Sequence, residues 1–489
     1  MPQQKALIIG AGIAGIATSI RLVLKGYRVE VFEANTYPGG KLTSFEQDGY
    51  RFDAGPSLFT MPQYVDELFK LAGKDPRAHF NYQKLETVCQ YFYEDGTSLT
   101  AYAEEDQLAK SVADATSEPE NSIRRFLQYS KRIYDVTNHV FLEKSLHRLR
   151  TYFNLKTSLS VLRLFQIDAL RTMNNANQSF FKDKRMVQFF NRYATYNGSN
   201  PYRAPATLNV IPHLEQHYGA WFPQGGMQAI TDSLVSLAES LGVKFHYQSP
   251  VEEILLKGRR AVGVQVNGEI MKGDILVSNM DVWFTYKKLL SNQQKLHPRK
   301  ILQQERSSSA LIFYWGIKKS FPKLDLHNIF FSADYREEFS QIWQQKTIGN
   351  DPTVYVNISS KYKQDDAPEG QENWFVMINV PANSGQDWDV LIEEARQNII
   401  SKLSRLLKED VAALITCESI LDPRSIEGKT SSYQGSLYGT SSNNRFAAFL
   451  RHANRSNKVK NLYFCGGSVH PGGGIPLALL SAKIVSEWV

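Results

Sequence analysis

The apolar positions at the start of the chain follow the spacing of a strand–helix–strand unit. Residues 6–9 form a short continuous apolar run, as expected for a parallel strand that is buried on both faces. In residues 16–25 the apolar positions fall at helical spacing, and Gly26 follows as a helix-ending residue. A second apolar run covers residues 28–32. The pattern predicts two parallel strands joined by a helix.

The rest of the chain contains further runs with strand and helix spacing. Residues 101–219 are rich in helical patterns and in basic and aromatic residues, whereas the predicted strands lie outside that region. The chain ends in an apolar run at residues 461–465, a glycine-rich turn, and an amphipathic helical pattern over residues 477–488. The other predicted strands cover residues 243–246, 251–256, 261–266, 274–277, 310–317, 353–358 and 374–380. This order of elements predicts an α/β protein.

Composition places the chain among folded, water-compatible proteins. Its 489 residues, 42% of them apolar and 21% charged, are enough for two or three domains. The three cysteines, Cys89, Cys417 and Cys465, match neither a disulfide framework nor a metal site, which favours a reducing cytoplasm. The net charge of +7 comes with no zinc-finger spacing and no RNA-recognition signature, so no nucleic-acid partner is expected. The sequence contains no uninterrupted apolar run of roughly 18 residues, so no membrane-spanning helix is expected.

A glycine-rich turn follows the first predicted strand. Gly10 permits a tight turn, Gly12 lets a pyrophosphate approach the backbone, and Gly15 lets the helix pack closely on the strand. The helix N-terminus supplies free N–H groups and a positive dipole end. Glu33 ends the second strand, where it can accept a hydrogen bond from a ribose 2′-hydroxyl but would repel a 2′-phosphate. Together these features predict a dinucleotide other than NADP, rather than an ordinary turn.

Two further elements favour FAD over NAD. A Gly-Gly-basic element at residues 39–41 follows Glu33, and Lys41 can place a positive charge near the pyrophosphate. In the tail, a strand and a glycine-rich turn lead into a helix that starts near Ile475. The N–H groups of that helix can face the N1/O2 edge of a flavin, where negative charge develops on reduction. The sequence therefore predicts FAD.

These motifs resemble those of the bacterial-type carotenoid desaturases, within the larger flavin amine-oxidase-like group, over nearly the whole chain. Residues 50–60 are similar to the family's FDxGP segment, and residues 463–476 contain the HPGxGIP portion, which is the most specific match. Residues 222–227 and 332–339 extend the resemblance. The family usually has Arg in place of Lys41, so bidentate phosphate contact is lost. The wider group has an Asp for the ribityl chain in place of Ser468.

The resemblance implies an FAD-dependent desaturase that introduces C=C bonds into a C40 carotenoid by hydride transfer to flavin. It leans toward 3,4-desaturation of a 1-hydroxycarotenoid. Phytoene desaturation, carotenoid isomerisation and flavin amine oxidation are the alternatives, and a quinone or oxygen is the expected electron acceptor. No catalytic base is identified, since His470 can be either a proton acceptor or a turn-stabilising residue.

The resemblance also completes the set of predicted FAD-binding residues. It adds residues 55–58 as neighbours of the flavin, and Val251, which opens a predicted strand, as a backbone contact of the adenine. The predicted FAD-binding residues are Gly10, Gly12, Ile13, Ala14, Gly15, Glu33, Gly40, Lys41, Gly55, Pro56, Ser57, Leu58, Val251, Gly467, Ser468, Gly474, Ile475 and Pro476.

The expected domains are interleaved along the chain. We expect a Rossmann-like FAD-binding domain of the glutathione-reductase/amine-oxidase type, an α+β substrate domain and a helical, membrane-facing region. Their predicted ranges are residues 1–100, 220–289 and 421–489 for the first, 290–420 for the second and 101–219 for the third. Within the third, the basic segment 144–171 suits an anionic membrane surface, the alternative being the solvated faces of core helices. A lipid-soluble substrate favours the membrane, so we expect a cytoplasmic protein that is peripherally membrane-associated.

Overall fold

A five-stranded sheet, here called the parallel sheet, forms one layer of this computed structural model, which describes residues 3–138, 167–444 and 451–489. All its neighbouring strands run parallel, so their carboxyl ends lie at one edge. The first predicted strand is continuous in its apolar residues because it is central, with Ala6, Leu7 and Ile8 fully buried. The order of strands is Lys244–His246, Arg28–Phe32, Lys5–Ile9, Ile275–Ser278 and Leu462–Phe464.

Helices cover the parallel sheet and link the two ends of the chain. The predicted strand–helix–strand unit is confirmed, with its helix spanning Ile13–Leu24. That helix packs against the C-terminal helix Ile475–Trp488, and Ile16, Ile20 and Leu480 share one buried core. The tail therefore folds back onto the first βαβ unit.

A second, seven-stranded sheet, here called the mixed sheet, forms the other layer. Its neighbours are antiparallel except for His327–Phe330, which runs parallel to Thr87–Phe92. The strands predicted at 310–317, 353–358 and 374–380 are confirmed here. The order is Ile415–Leu421, Ser309–Ile317, Glu372–Val380, Val354–Asn357, His327–Phe330, Thr87–Phe92 and Ser98–Tyr102. The last two strands lie before residue 290, so the sheet draws on more of the chain than the predicted range 290–420.

The two faces of the mixed sheet have different neighbours. Because side chains alternate along a strand, Leu311 and Phe313 share one face, which packs against the helix Trp388–Leu407. Ile312 and Tyr314 lie on the opposite face and line a large cavity. The sheet is therefore both part of a core and one wall of the cavity.

The remaining elements connect the two layers. Small sheets are formed by Ser44–Gln47 with Tyr50–Asp53, by Phe59–Thr60 and Tyr82–Lys84 on either side of Ala220–Pro223, and by Val251–Lys257, Arg260–Val266 and Glu269–Lys272. The other α-helices are Gln63–Leu71, Glu105–Ala115, Glu120–Thr137, Met173–Phe180, Lys184–Asn191, Val210–Tyr218, Ala229–Ser240, Val282–Phe284, Arg299–Leu302, Tyr335–Ser340, Val411–Leu414 and Pro423–Thr430. The predicted strands at 251–256 and 261–266 thus pair with each other, outside the parallel sheet.

The predicted membrane-facing region is described only in part. Most of its basic segment 144–171 lies outside the described residues. Among the residues that are described, no helix combines the length and apolar character needed to cross a bilayer.

Candidate functional site

One large cavity, of about 1190 Å³, lies between the carboxyl edge of the parallel sheet and the open face of the mixed sheet. Pockets for single ligands usually measure roughly 300–1,000 Å³, so this cavity has room for more than one group. All of the predicted FAD-binding residues except Gly15 line it. Motifs that are hundreds of residues apart in the sequence therefore meet around a single space.

The glycine turn after Lys5–Ile9 is tightly packed. Gly10 has φ +93, and a Cβ added at Gly15 would lie only 2.2 Å from the Gly10 carbonyl oxygen. Gly15 thus acts in packing, as its predicted role requires, and does not face the cavity. A Cβ at Gly12 would lie 2.5 Å from Asn279 Nδ2, so the wall beside the N-terminus of Ile13–Leu24 stays bare backbone.

Glu33 is a buried carboxylate at the end of Arg28–Phe32. Its Oε2 accepts a hydrogen bond from the Ala11 N–H at 2.7 Å, and its Oε1 accepts one from the Asn35 N–H at 2.9 Å. A carboxylate has about four acceptor positions, so these two bonds orient it and leave capacity for a diol. The geometry fits the ribose of an adenine dinucleotide.

The predicted Gly-Gly-basic element closes over the same turn. Gly39 donates its N–H to the Ala11 carbonyl at 2.8 Å, and Gly40 has φ +60. Lys41 is half-buried on the cavity wall, and its Nζ donates to the carbonyl oxygens of Ser436 at 3.2 Å and Leu437 at 3.0 Å. Those two bonds leave one of its three N–H groups for a ligand, and the phosphate contact of Lys41 stays a prediction.

Charged residues that the motifs did not reveal surround this end of the cavity. Arg306 and Asp281 form a buried ion pair. Arg451 is also buried, and its guanidinium donates to four neutral oxygens, including the Gly467 carbonyl at 3.3 Å. Burial, with the nearby charge of Arg306, lowers the pKa of Arg451 to about 10. Asp281 balances the charge of Arg306, whereas Arg451 donates to neutral oxygens, so its buried charge suits an anionic group such as a diphosphate.

The tail adds a second glycine-rich turn at the same edge of the parallel sheet, and both turns approach the Asn279 side chain. Gly474, with φ +104, precedes the helix Ile475–Trp488, whose first N–H groups adjoin the cavity. The Ser468 Oγ accepts a hydrogen bond from the Val282 N–H at 3.1 Å and keeps its own O–H to donate. His470 is buried in this turn, where its N–H donates to the His452 carbonyl at 3.0 Å. This backbone bond fits the turn-stabilising alternative.

The segment 55–58 contacts both the Gly-Gly-basic element and the wall formed by the mixed sheet. A Cβ added at Gly55 would lie 1.7 Å from the Lys41 carbonyl oxygen, so only glycine fits there. Ser57 lies at 2.7 Å, Oγ to phenolic oxygen, from Tyr355 on the mixed sheet. The predicted neighbours of the flavin thus also touch the wall formed by the mixed sheet.

That wall is mostly apolar, with a polar patch near one edge. Tyr314 lies on this wall. Ile312, Ile329, Phe375 and Met377 add an apolar surface. The polar patch consists of His327, Tyr355, Arg192, Glu215 and Tyr196, all of which line the cavity.

Sequence reasoning missed the polar patch because its members carry no local motif. They come from separate elements that only tertiary pairing brings together. Asn279 was also missed, although its position directly after the strand Ile275–Ser278 was a usable signal, since ligands bind at the carboxyl ends of parallel strands.

Known proteins resemble this chain over its full length. It is 51% identical to a 1-hydroxycarotenoid 3,4-desaturase from Flavobacterium sp., over 99% of both chains. It is 32% identical to a 4,4′-diapolycopene oxygenase from Methylomonas sp., covering 99% of this chain and 98% of the relative. A 4,4′-diaponeurosporene oxygenase from Staphylococcus aureus is 30% identical, with coverage of 99% and 97%.

Solved structures share the fold at much lower identity. An oxidoreductase from Methanosarcina mazei superimposes with a TM-score of 0.65 at 15% identity, covering 99% of this chain and 100% of that one. Putrescine oxidase bound to putrescine superimposes with a TM-score of 0.62 at 14% identity, covering 99% and 98%. The sequence profile of the family described as flavin containing amine oxidoreductase matches residues 13–489. The profile covers nearly the whole chain, and a relative that is 51% identical covers 99% of it. These matches confirm the predicted FAD cofactor. The chain belongs to the flavin containing amine oxidoreductase family.

Proposed function

We propose that the protein is an FAD-dependent desaturase that introduces a C3=C4 double bond into a 1-hydroxylated acyclic or monocyclic carotenoid. The observation that carries this proposal is the 51% identity, over 99% of both chains, to a desaturase with that activity in its name. The cavity supports it, because a long apolar wall lies beside the glycine turns that suit a dinucleotide.

The proposed FAD site follows the walls of the cavity. The backbone of residues 10–14 and the free N–H of Lys41 would hold the pyrophosphate, and Glu33 the ribose of the adenosine. Val251 would contact the adenine through its backbone. Ser468 would bond the ribityl chain, and the remaining predicted residues would lie along the ring: Gly55, Pro56, Ser57, Leu58, Gly467, Gly474, Ile475 and Pro476.

The chain contributes positioning and exclusion of water to the proposed reaction. FAD, when bound, would supply the two-electron oxidising chemistry that removes a hydride from an allylic carbon and a proton from the adjacent carbon. The apolar face that contains Ile312, Phe375 and Met377 would hold the polyene against the ring. The substrate loses two hydrogens and gains one conjugated double bond. A quinone or oxygen would then take the electrons.

Peripheral contact with a membrane belongs to the same proposal. A carotenoid dissolves in lipid, so the enzyme must collect it from a bilayer. Leu170 is 85% exposed on the described edge of the helical region, and the Arg171 that follows it is paired with Asp168. The exposed apolar side chain suits contact with a lipid surface, in a cytoplasmic and peripherally membrane-associated protein.

Product analysis tests the proposed function. The purified protein with FAD is incubated with anionic liposomes that contain single carotenoids, hydroxylated or not, under oxygen or with a quinone. We expect a product two hydrogens lighter, with a red-shifted absorption spectrum, from a 1-hydroxycarotenoid. An unchanged mass with a new isomer would indicate an isomerase, and a mass gain of oxygen would place the protein with the oxygenases.

Two controls complete the experiment. The same incubation without FAD is expected to leave the carotenoid unchanged. A panel of amines, assayed for hydrogen peroxide, addresses the amine oxidase alternative. Unchanged carotenoids together with peroxide formation from an amine would replace the proposed function, and unaltered spectra across the whole carotenoid panel would contradict it.

A further inference from the structure

We infer that His327 binds the 1-hydroxyl group of the substrate and makes the enzyme selective for hydroxylated carotenoids. This inference rests on the proposed function and deepens it, since it names the residue that reads the hydroxyl group. The supporting observation is a buried imidazole on the cavity wall, one of whose ring nitrogens has no hydrogen-bond partner among the described residues.

His327 opens a strand of the mixed sheet and lines the cavity, with only 4% of its surface exposed. Its Nδ1 lies 2.7 Å from the Tyr355 phenolic oxygen and 3.2 Å from Asn357 Nδ2. Asn357 is the cross-strand partner of His327, and Tyr355 projects from the same strand two residues earlier. One side of the imidazole ring is therefore held in place by the sheet.

The other ring nitrogen is unsatisfied. Nε2 of His327 is buried and has no hydrogen-bond partner within residues 3–138, 167–444 and 451–489. Buried polar atoms in native proteins are nearly always paired, so an unpaired one calls for a partner from outside the described chain. Nε2 is a donor in one neutral tautomer and an acceptor in the other. An alcohol both donates and accepts, so a hydroxyl group satisfies either tautomer.

The charges around His327 favour a neutral ligand. Burial, together with the nearby charge of Arg192, lowers the pKa of His327 to about 3, so the ring is neutral at physiological pH. The Arg192 guanidinium is neutralised by Glu215 at 3.3 Å and also donates to the Tyr196 hydroxyl at 2.7 Å. A carboxylate or an ammonium group would enter this patch without a free counter-ion, whereas an alcohol needs none.

The position of His327 matches the position of the hydroxyl group relative to the reacting bond. The Tyr355 hydroxyl lies 2.7 Å from Ser57 Oγ and 2.7 Å from His327 Nδ1, so a chain of two hydrogen bonds joins His327 to a proposed flavin neighbour. In a 1-hydroxycarotenoid the hydroxylated carbon lies two carbons from the C3–C4 bond. A residue that binds this hydroxyl must therefore lie close to the ring, and His327 is two hydrogen bonds from Ser57, a proposed neighbour of the flavin.

The apolar residues of the wall would hold the rest of the polyene. Ile329 follows His327 on the same face of its strand, and Phe375 and Met377 come from Glu372–Val380, the strand on the far side of Val354–Asn357. They offer no hydrogen-bonding group to compete for the hydroxyl. The substrate would thus be oriented with its hydroxylated end at His327.

The test compares two substrates in matched variants. The substrates are a 1-hydroxycarotenoid and the same polyene with hydrogen in place of the hydroxyl, and the measure is the ratio of their kcat/KM values. One neutral hydrogen bond corresponds to a preference of about 10-fold for the hydroxylated substrate in the wild type. We expect His327→Phe to bring this ratio close to unity, mainly through the hydroxylated substrate, and His327→Gln, which retains a donor and an acceptor, to keep a preference.

Controls separate recognition from general damage. His79→Phe makes the same change at an exposed histidine and should keep the wild-type ratio. FAD absorbance of each purified variant reports whether the site is intact. Should His327→Phe fail to bind FAD, Tyr355→Phe removes the hydroxyl that holds the ring and should lower the ratio.

The outcomes distinguish the two proposals. If the wild-type protein removes two hydrogens from neither substrate, the proposed function fails. If the wild type is active but His327→Phe keeps the wild-type ratio of kcat/KM values, the role of His327 is refuted and the function stands. The same conclusion follows from an unchanged ratio in Tyr355→Phe if His327→Phe does not bind FAD. An equal loss of kcat/KM on both substrates also refutes hydroxyl recognition.

Discussion

Lys41 illustrates how burial tunes a single charge beside the dinucleotide end of the cavity. Burial lowers its pKa to about 8, an effect that Asp281 opposes and Arg306 reinforces. Two backbone carbonyls accept its hydrogen bonds, but neither carries a full negative charge. A diphosphate bound nearby would stabilise the ammonium form and raise this pKa again.

Proton uptake on FAD binding tests that expectation. At about pH 9 the amine of the free protein is mostly neutral, so binding should take up a fraction of a proton that approaches one. Near pH 6 the amine is already charged, and uptake at this residue should vanish. Calorimetry in two buffers of different ionisation enthalpy measures the protons directly.

The matched variants are Lys41→Met and Lys74→Met, the latter at an exposed lysine. We expect the first to lose the uptake at about pH 9 and the second to keep it. Wild-type binding without proton uptake at that pH, or uptake that persists in Lys41→Met, would show that the diphosphate does not act on this amine.

At the scale of single elements, the helix Ile13–Leu24 depends on its distance from the strand before it. A methyl group at Gly15 would overlap the Gly10 carbonyl, whereas one at Gly428, within the helix Pro423–Thr430, would meet nothing within 4 Å. Both substitutions are glycine to alanine in a helix. Gly428 lines the cavity and Gly15 lies behind its wall, and the added methyl group clashes with packed backbone at Gly15 alone of the two.

We expect Gly15→Ala to push the helix away from the strand and to misplace the N–H groups that face the dinucleotide. Overpacking costs about 1–3 kcal/mol, and where that cost falls on the bound form it weakens FAD binding about 10- to 100-fold. Gly428→Ala should bind FAD as the wild type does. Fluorescence titration of the two apoproteins with FAD gives the comparison, and equal dissociation constants would contradict the close-packing role of Gly15.

Elements were predictable where their signal is local. The strand Ser309–Ile317 shows as an apolar run because all of its residues are buried, and the glycine turn shows because its spacing has one geometric purpose. The pairing of His327–Phe330 with Thr87–Phe92 joins segments more than 200 residues apart, and apolar periodicity does not report a strand's partner. The polar patch depends on that pairing, so His327 and Arg192 could not be identified from the sequence.

At the scale of the whole molecule, the chain passes repeatedly between its two large sheets. Residues that form the parallel sheet come from both ends and from the middle of the chain, and the mixed sheet is built from the intervening segments. The cavity lies between the sheets and takes its lining from both. Neither sheet is a separate stretch of chain, so we expect the molecule to unfold as one unit when FAD is bound.

This expectation has two spectroscopic reporters. Three of the seven tryptophans, Trp315, Trp374 and Trp388, are buried on the side of the mixed sheet away from the cavity, whereas flavin fluorescence reports release of FAD from the cavity. If the layers unfold together, tryptophan emission and flavin release should share one thermal midpoint. Free FAD at 100 times its dissociation constant should stabilise the folded state by about 2.7 kcal/mol and raise both thermal midpoints together.

Flavin release well below the tryptophan transition, with a tryptophan midpoint that does not respond to FAD, would mean that the mixed sheet folds independently of the cofactor site. The interleaved path of the chain argues for the first outcome, because separating the layers would require breaking the cavity that both of them line.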